Sequence, residues 1–119
     1  MNAYETIFIL KSSLTDEEIL AATEKVKGVI QRAGGEVVAS ENWGKRKLAY
    51  EVKKEKRGTY IVVHLKGNGT TVLETERHFR LTESIMKFML VAIDAAKLGQ
   101  VALLKEEKPI GMRDMAYTR

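Results

Sequence analysis

The feature that most constrains the fold is an alternation of apolar periodicities that runs strand, helix, strand and then repeats. Four segments have the β-branched and aromatic content or the period of two that is typical of strands, namely residues 4–10, 36–52, 59–65 and 84–93. Residues 16–33 carry apolar side chains at helical spacing, and a shorter helical segment follows Thr71. The sequence therefore predicts the order βαββαβ.

Capping signals place the helix ends. Thr15 followed by Glu18 has the spacing of a capping box, and Gly34 is suited to the left-handed residue that ends the helix. The buried stripe of this helix is predicted to consist of Ile19, Ala22, Val26 and Ile30. Thr71 and Glu74 have the same capping-box spacing and predict the start of the second helix.

Side-chain alternation indicates which strands lie inside the sheet. The first strand is apolar on both faces, with Phe8 and Leu10 on one side and Ile7 and Ile9 on the other, which is typical of a central strand. The third strand shares this character. It has Ile61, Val63 and Leu65 on one face and Tyr60, Val62 and His64 on the other.

The second and fourth strands have other patterns. The second places Leu48, Tyr50 and Val52 on one face and lysines on the opposite face, which favours an edge position. The run 53–58 that follows predicts a loop. For the fourth strand, alternation predicts one face of Met86, Phe88 and Leu90 and another of Ile85, Met89 and Val91.

The fold class that follows is α+β, a ferredoxin-like split β-α-β arrangement. Right-handed crossovers then give a four-stranded antiparallel sheet with spatial order 4-1-3-2 and both helices on one face. The other face has no helices, and we expect residues such as Tyr60, Val62, Met89 and Val91 to lie there, partly exposed.

The length of 119 residues suits one domain. We expect this domain to occupy residues 1–94 and a C-terminal extension to occupy residues 95–119. The extension carries more apolar side chains than a solvating tail needs, namely Leu103, Leu104, Ile110, Met112, Met115 and Tyr117. Two readings stay open: a flexible tail, or one that docks on its own sheet or on a partner.

The charge distribution says more than the net charge. The formal charge is +4, from 20 basic and 16 acidic residues. Residues 36–67 hold eight basic and four acidic residues, so this segment contains the whole excess. A local excess of this kind is the footprint of a polyanion-binding surface, and a solvated charged hairpin is the alternative.

Several classes of function find no support in the sequence. There is no cysteine, so disulfides and thiolate metal sites are excluded. No secretion signal or membrane-spanning stretch is evident, so we expect a cytoplasmic protein without a membrane partner. His64 and His78 lack spaced carboxylates, and no glycine-flanked nucleophile occurs. We therefore expect no metal, no cofactor and no catalytic residues.

The run G-K-R-K-L-A-Y-E-V-K, residues 44–53, resembles the signature of the bacterial small-subunit ribosomal protein number six family. Three more stretches resemble it too: M-N-A-Y-E-T-I-F-I-L at the N-terminus, R-G-T-Y-I-V-V from Arg57, and H-F-R-L-T-E-S-I-M-K-F-M-L-V from His78. The resemblance covers residues 1–94. It implies the split fold and a ribosome-bound, non-enzymatic protein. It also implies binding to the central domain of 16S ribosomal RNA together with ribosomal protein number eighteen during assembly.

Within that interpretation, Lys45, Arg46 and Lys47 are the first candidates for contact with RNA. A second candidate patch contains Arg77, Arg80 and Lys87, since guanidinium groups suit phosphate geometry. The alternative for each of these residues is a solvated surface cation.

Trp43 and Gly44 are the candidates for contact with the partner protein, and burial of Trp43 against its own sheet is the alternative. We expect the free protein to be monomeric. A different function also stays open, namely a self-associating ferredoxin-like domain that binds a small molecule or regulates another protein.

Overall fold

The computed structural model describes residues 1–52, 55–99 and 116–117, without the side chains of residues 49–52, 55, 116 and 117. The elements are β1 (Asn2–Lys11), α1 (Asp16–Arg32), β2 (Glu36–Val52), β3 (Glu55–Gly67), α2 (Gly69–Leu81), β4 (Ile85–Ala92), a single 3-10 turn (Ala95–Lys97) and β5 (Ala116–Tyr117). The predicted βαββαβ order is confirmed. The apolar residues predicted for the extension between 101 and 115 lie outside the described residues.

The sheet has the order β2-β3-β1-β4-β5, and all its neighbours are antiparallel. The predicted order of the first four strands is confirmed, with β1 and β3 in the centre because both of their faces are apolar. β5 adds a fifth strand, in which Ala116 pairs with Phe88 and Tyr117 with Lys87. One edge of the sheet is therefore β2, and the other is covered by two residues of the extension.

Helix α1 begins as its capping box predicts. The Thr15 hydroxyl accepts a hydrogen bond from the Glu18 N–H at 3.2 Å, and the Glu18 carboxylate accepts one from the Thr15 N–H at 2.9 Å. The helix ends at Arg32, one residue earlier than predicted, and Gly34 has the left-handed φ of 84°. Its buried side chains are Ile19, Thr23, Val26 and Ile30.

Helix α2 has its N-cap three residues earlier than Thr71, so that prediction is wrong. Asn68 is the N-cap, and its side-chain oxygen accepts from the N–H groups of Thr70 and Thr71 at 3.0 and 3.1 Å. Asparagine is at least as good an N-cap as threonine. Thr71 instead accepts from the Asn68 N–H and donates to the Ala33 carbonyl at 2.9 Å, which joins the start of α2 to the end of α1.

The helix-covered face of the sheet contains the larger core. Its buried members are Phe8, Leu10, Ile19, Val26, Ile30, Ile61, Val63, Leu65, Phe79, Ile85 and Phe88. Phe79 lies at its centre, with ring centroids 5.2 Å from Phe8 and 4.9 Å from Phe88. The period of two in β1 and β3 correctly predicted that Phe8 and Leu10 of β1 and Ile61, Val63 and Leu65 of β3 share this face.

The other face, called the open face below because no helix covers it, is also packed. Its buried cluster contains Ile7, Ile9, Leu48, Tyr60, Val62 and Met86. The expectation that Tyr60 and Val62 are partly exposed is wrong, since both are buried. Trp43 and Met89 pack against this cluster, and the chain after β4 returns across it. Val91 is 40% exposed, as expected.

Strand β4 departs from simple alternation at its start. The pairing of β1 with β4 shifts between Ile9 and Leu10, so that Ile9 pairs with Lys87 and Leu10 with Ile85. Met86 is the extra residue of this bulge, and it joins the open-face cluster, whereas Ile85 joins Phe88 on the helix side. The predicted grouping of Met86 with Phe88 is therefore wrong.

The hairpin between β2 and β3 is longer than predicted. Val52 pairs with Glu55, so Lys56 and Arg57 lie on β3 and not in a loop over 53–58. Gly58 is needed on this strand because a Cβ there would collide with Ile9 on the neighbouring strand. The predicted burial of Tyr50 and Val52 concerns side chains outside the described residues.

Candidate nucleic-acid interface

A bulge in β2 orients the candidate site. Asn42 pairs with Ile61 and Gly44 pairs with Tyr60, so Trp43 has no residue opposite it. Gly44 adopts φ 82°, which favours glycine, and its N–H donates to the Asn42 side-chain oxygen at 2.7 Å. The predicted irregularity at Trp43–Gly44 is thus a bulge that bends the edge strand before the cationic residues begin.

The cationic residues after the bulge alternate between the two faces. Lys45 lies opposite Thr59 and Lys47 lies opposite Arg57, and all three cations are exposed. Arg46 lies opposite Gly58, on the same face as Tyr60, and is half-buried. The structure therefore brings Lys45 and Lys47 together on one face with Arg57 and sends Arg46 to the open face.

Lys45, Lys47 and Arg57, called the β2–β3 cationic ribbon below, have no compensating carboxylate among the described side chains. Among the described residues, the ion pairs within 4.0 Å lie elsewhere and join Lys11 to Glu83, Lys27 to Glu24, His64 to Glu5 and Arg80 to Glu76. Like charges directly opposite each other on neighbouring strands destabilise a sheet. The Lys47–Arg57 pair is therefore a local cost that a bound polyanion would offset.

Arg46 and Trp43 form a pair on the open face. The guanidinium carbon of Arg46 lies 5.3 Å from the centroid of the Trp43 ring, within the range of a cation–π contact. Trp43 is half-buried against the open-face cluster, and its indole N–H is buried without an acceptor among the described residues. Burial raises the pKa of Tyr60, and the nearby charge of Arg46 opposes this change. Contact of Trp43 and Gly44 with a partner stays a prediction.

Arg77 and Arg80 lie on a different part of the molecule. Both are exposed on α2, which packs against α1 and β4, whereas the cationic ribbon lies at the opposite edge of the sheet. The Arg80 guanidinium lies 5.3 Å from the Phe88 ring and 4.0 Å from the Glu76 carboxylate. The predicted cations therefore form two separate sets.

Lys87 does not belong to either set. Its side chain is fully buried, on the face where it pairs with Ile9. Lys87 follows the bulge at Met86 and pairs with Ile9 on one side and with Tyr117 on the other, so it lies within the sheet and not at its edge. The expectation that Lys87 is a surface cation is therefore corrected.

A groove of about 400 Å³ lies between the helices, on the side away from the sheet. Val29 and Leu81 form its apolar walls, and charges of both signs, from Arg32, Arg77 and Glu74, line it. Half-buried His78 also lines the groove, and its pKa is lowered by burial and by the charges of Lys25 and Arg32. The mixed charges select no class of ligand.

Two features escaped the sequence interpretation. Arg57 was placed in a hairpin loop, because its strand partner Lys47 cannot be identified without the register. A buried contact between Glu5 and His64 on the open face was also missed, although a carboxylate inside an apolar strand is a signal of it. Among the residues described, no three His, Cys, Asp or Glu side chains form a metal-binding group. No described helix is long and apolar enough to cross a membrane.

Comparison with known proteins gives concordant results. The sequence model of the family described as ribosomal protein S6 matches residues 3–92. The chain is 46% identical over 97 residues to small ribosomal subunit protein bS6 of a Nitratiruptor species, covering 82% of this chain and 76% of that protein. It is 47% identical over 91 residues to bS6 of Clostridium novyi, covering 76% of this chain and 96% of that protein.

The fold is likewise similar to a solved structure. The crystal structure of 30S ribosomal protein S6 from Thermotoga maritima superposes with a TM-score of 0.74 at 31% identity, covering 77% of this chain and 87% of that chain. The similarity thus extends over the split β-α-β domain and leaves most of the C-terminal extension unmatched.

Proposed function

We propose that this chain, which belongs to the ribosomal protein S6 family, binds the central domain of 16S ribosomal RNA together with ribosomal protein number eighteen during assembly. As a component of the small ribosomal subunit, it works on the ribosome in the cytoplasm. The protein acts by binding and carries out no chemistry. The observation that carries the proposal is the β2–β3 cationic ribbon, formed by Lys45, Lys47 and Arg57.

The ribbon is suited to a phosphate backbone. Lys45 and Lys47 are two residues apart on one strand, so their ammonium groups reach different phosphates. Such contacts position a protein on RNA without reading its bases, and they make the affinity depend on salt. Bound phosphates also relieve the repulsion between Lys47 and Arg57.

The partner protein is assigned to the neighbouring bulge. Trp43 has a partly exposed ring that an apolar side chain of the partner can contact, whereas its indole N–H is buried within this chain. Gly44 leaves open space beside the strand, because no heavy atom beyond its own chain neighbours lies within 4 Å of the position its Cβ would take. RNA and partner then meet at adjacent positions on the edge strand, and joint binding follows.

Arg77 and Arg80 provide a second RNA contact in this proposal. Because they lie across the molecule from the ribbon, they reach a different RNA segment. Arg80 is partly engaged by Phe88 and Glu76, so we assign Arg77 the larger share of this contact.

The proposal is tested by filter binding to a central-domain fragment of 16S ribosomal RNA, with and without ribosomal protein number eighteen, at several salt concentrations. The double variant Lys45→Gln with Lys47→Gln removes two positive charges and leaves the Arg46–Trp43 contact in place. We expect the magnitude of the salt slope to fall by about 1.4–1.8, because each of the two phosphate contacts contributes about 0.9 on a duplex and about 0.7 on a single strand.

The matched control is Lys25→Gln with Lys27→Gln, which removes the same charge from α1. We expect this control to bind nearly as tightly as the native chain. If both double variants lose the same affinity, only net charge matters and the ribbon is not the site. An affinity that does not rise when the partner protein is added contradicts joint binding.

A further inference from the structure

The edge of the sheet formed by β2 is charged and irregular. Its charged residues before Leu48 are Glu36, Glu41, Lys45, Arg46 and Lys47. Its pairing with β3 shifts between Val37 and Ala39 and again between Asn42 and Gly44. Charges and bulges of this kind keep the edge of a sheet from pairing with another chain. The β2 edge is therefore protected by its own sequence.

The outer edge of β4 lacks both forms of protection. From Phe88 to Ile93 the sequence reads F-M-L-V-A-I, without a charge, a proline or a glycine. The one charged residue of the strand is Lys87, whose side chain is fully buried, and the register shift lies at Met86, before this run. Short apolar runs of high β-propensity without charge or proline are the ones that pair with other chains from an exposed edge.

Strand β5 supplies the cover that the sequence of β4 does not. Ala116 pairs with Phe88 and Tyr117 pairs with Lys87. Side-chain burial along β4 changes where this pairing stops. Lys87 and Phe88 are buried, whereas Val91 and Ala92, farther along the strand, are exposed. Among the described residues, two residue pairs thus hold β5 on an edge that is otherwise suited to accept a strand.

We infer that the outer edge of β4 is a strand-binding site, which β5 caps within one molecule and which pairs with β4 of a second copy of this chain when the cap is removed. Two identical edge strands pair antiparallel about a two-fold axis, and this geometry closes at the dimer. The site lies at the opposite edge of the sheet from the β2–β3 cationic ribbon, so the inference does not depend on RNA binding.

The contrast between the two edges selects a second β4 as the occupant. Pairing of β4 with β2 of another molecule would place the uncharged run against the charges and bulges of that strand. Pairing with a second β4 places uncharged residues opposite uncharged residues and buries Val91 and Ala92, which are exposed in the single molecule. It also gives hydrogen-bond partners to the outward N–H and C=O groups of both strands.

The test removes the pairing of β5 from the full chain. Consecutive residues of a strand direct their N–H groups alternately towards and away from a given neighbour, so Ala116→Pro with Tyr117→Pro removes the inward N–H whichever residue carries it. Sedimentation equilibrium at a series of protein concentrations measures the particle mass. We expect the native chain to stay monomeric and the double-proline variant to rise with concentration towards twice the monomer mass.

Three outcomes of this measurement overturn the inference. The first is a double-proline variant that stays monomeric, because the uncovered edge then binds no second copy. The second is a native chain that dimerises to the same extent, because β5 then caps nothing. The third is growth beyond the dimer, because pairing of two β4 edges leaves no further β4 edge free.

Two matched lysine substitutions locate the dimer contact. Val91 on β4 and Val38 on β2 are 40% and 39% exposed, so neither substitution disturbs the core. Added to the double-proline variant, Val91→Lys should restore the monomer, because a strand paired with β4 would bury the ammonium group. Val38→Lys should leave the dimer in place. A dimer that persists with Val91→Lys, or one that Val38→Lys also abolishes, contradicts pairing through β4.

Discussion

The two faces of the sheet are buried by different means. On the helix side, α1 and α2 cover an apolar core centred on Phe79, and the buried helical threonines Thr23 and Thr75 donate to backbone carbonyls one turn earlier. On the open face, Trp43 and Met89 pack against the buried cluster, and the Gly99 N–H beyond β4 donates to His64 Nδ1. This face also contains a buried carboxylate–imidazole pair and an indole N–H without an acceptor in the described region.

The difference shows which face of the sheet is stabilised mainly by apolar packing and which also depends on specific polar contacts. Apolar packing is non-directional, so the helix side needs only volume and shape. Buried polar groups need specific partners, and those on the open face depend on residues that are far apart in sequence, such as Glu5, His64 and Gly99. The open face is therefore the side whose structure depends on specific polar contacts between distant parts of the chain.

The largest expected effect comes from the centre of the helix side. Phe79→Ala should lower the free energy of unfolding by about 3–5 kcal/mol, because it leaves a cavity between Phe8 and Phe88. Trp43→Phe on the open face should change it little, because the lost ring area is offset by removal of an unpaired indole N–H. Urea denaturation measures both. A cost for Trp43→Phe as large as that for Phe79→Ala would break the comparison.

Two adjacent valines on β3 allow the burial of the two faces to be compared directly. Val62 and Val63 are adjacent and fully buried, but they point to opposite faces. Val62→Ala and Val63→Ala should each lower the free energy of unfolding by about 1–3 kcal/mol, the cost of two methyl groups plus a cavity. Since the open face is as buried as the helix side, the two values should agree within about 1 kcal/mol. Urea denaturation of both variants provides the measurement. A much smaller cost for Val62→Ala than for Val63→Ala would mean that the open face is less closely packed than the helix side.

The sequence predicted the helix side well because its information is local. A period of two placed Phe8, Ile61 and Val63 on one face, and a capping box placed Thr15. The errors lie where local patterns cannot report tertiary pairing. The bulge at Met86 depends on the register with β1, so Met86 was assigned to the wrong face and Lys87 to the surface.

The open face and the candidate site were predicted less completely for the same reason. Burial of Tyr60 and Val62 depends on packing against side chains from the other strands, such as Ile9, Leu48 and Met86. The closeness of Arg57 to Lys47 depends on the strand register. The family signature includes Lys45, Arg46 and Lys47, but the structure separates Arg46 from the other two cations. Asn68 was passed over as an N-cap because Thr71 has the acidic Glu74 three positions later, whereas the third residue after Asn68 is Thr71 itself.

The smallest expected effect concerns His78, on the helix side of the sheet. His78 lies between the helices, and its pKa is lowered by burial and by the charges of Lys25 and Arg32. The folded state therefore takes up its proton less readily than the unfolded chain, whose histidines titrate near pH 6.5. Its contribution to stability is full above that pH and is lost as the pH falls through it towards the lower folded value.

The native chain should therefore lose more stability on acidification than His78→Gln does, and the difference should develop below about pH 6.5. Lys25→Gln should reduce this difference, because it removes one of the two charges that oppose protonation. Urea denaturation at a series of pH values measures this difference. If the native chain and His78→Gln lost the same stability on acidification, His78 would not contribute to the pH dependence and the prediction would be wrong.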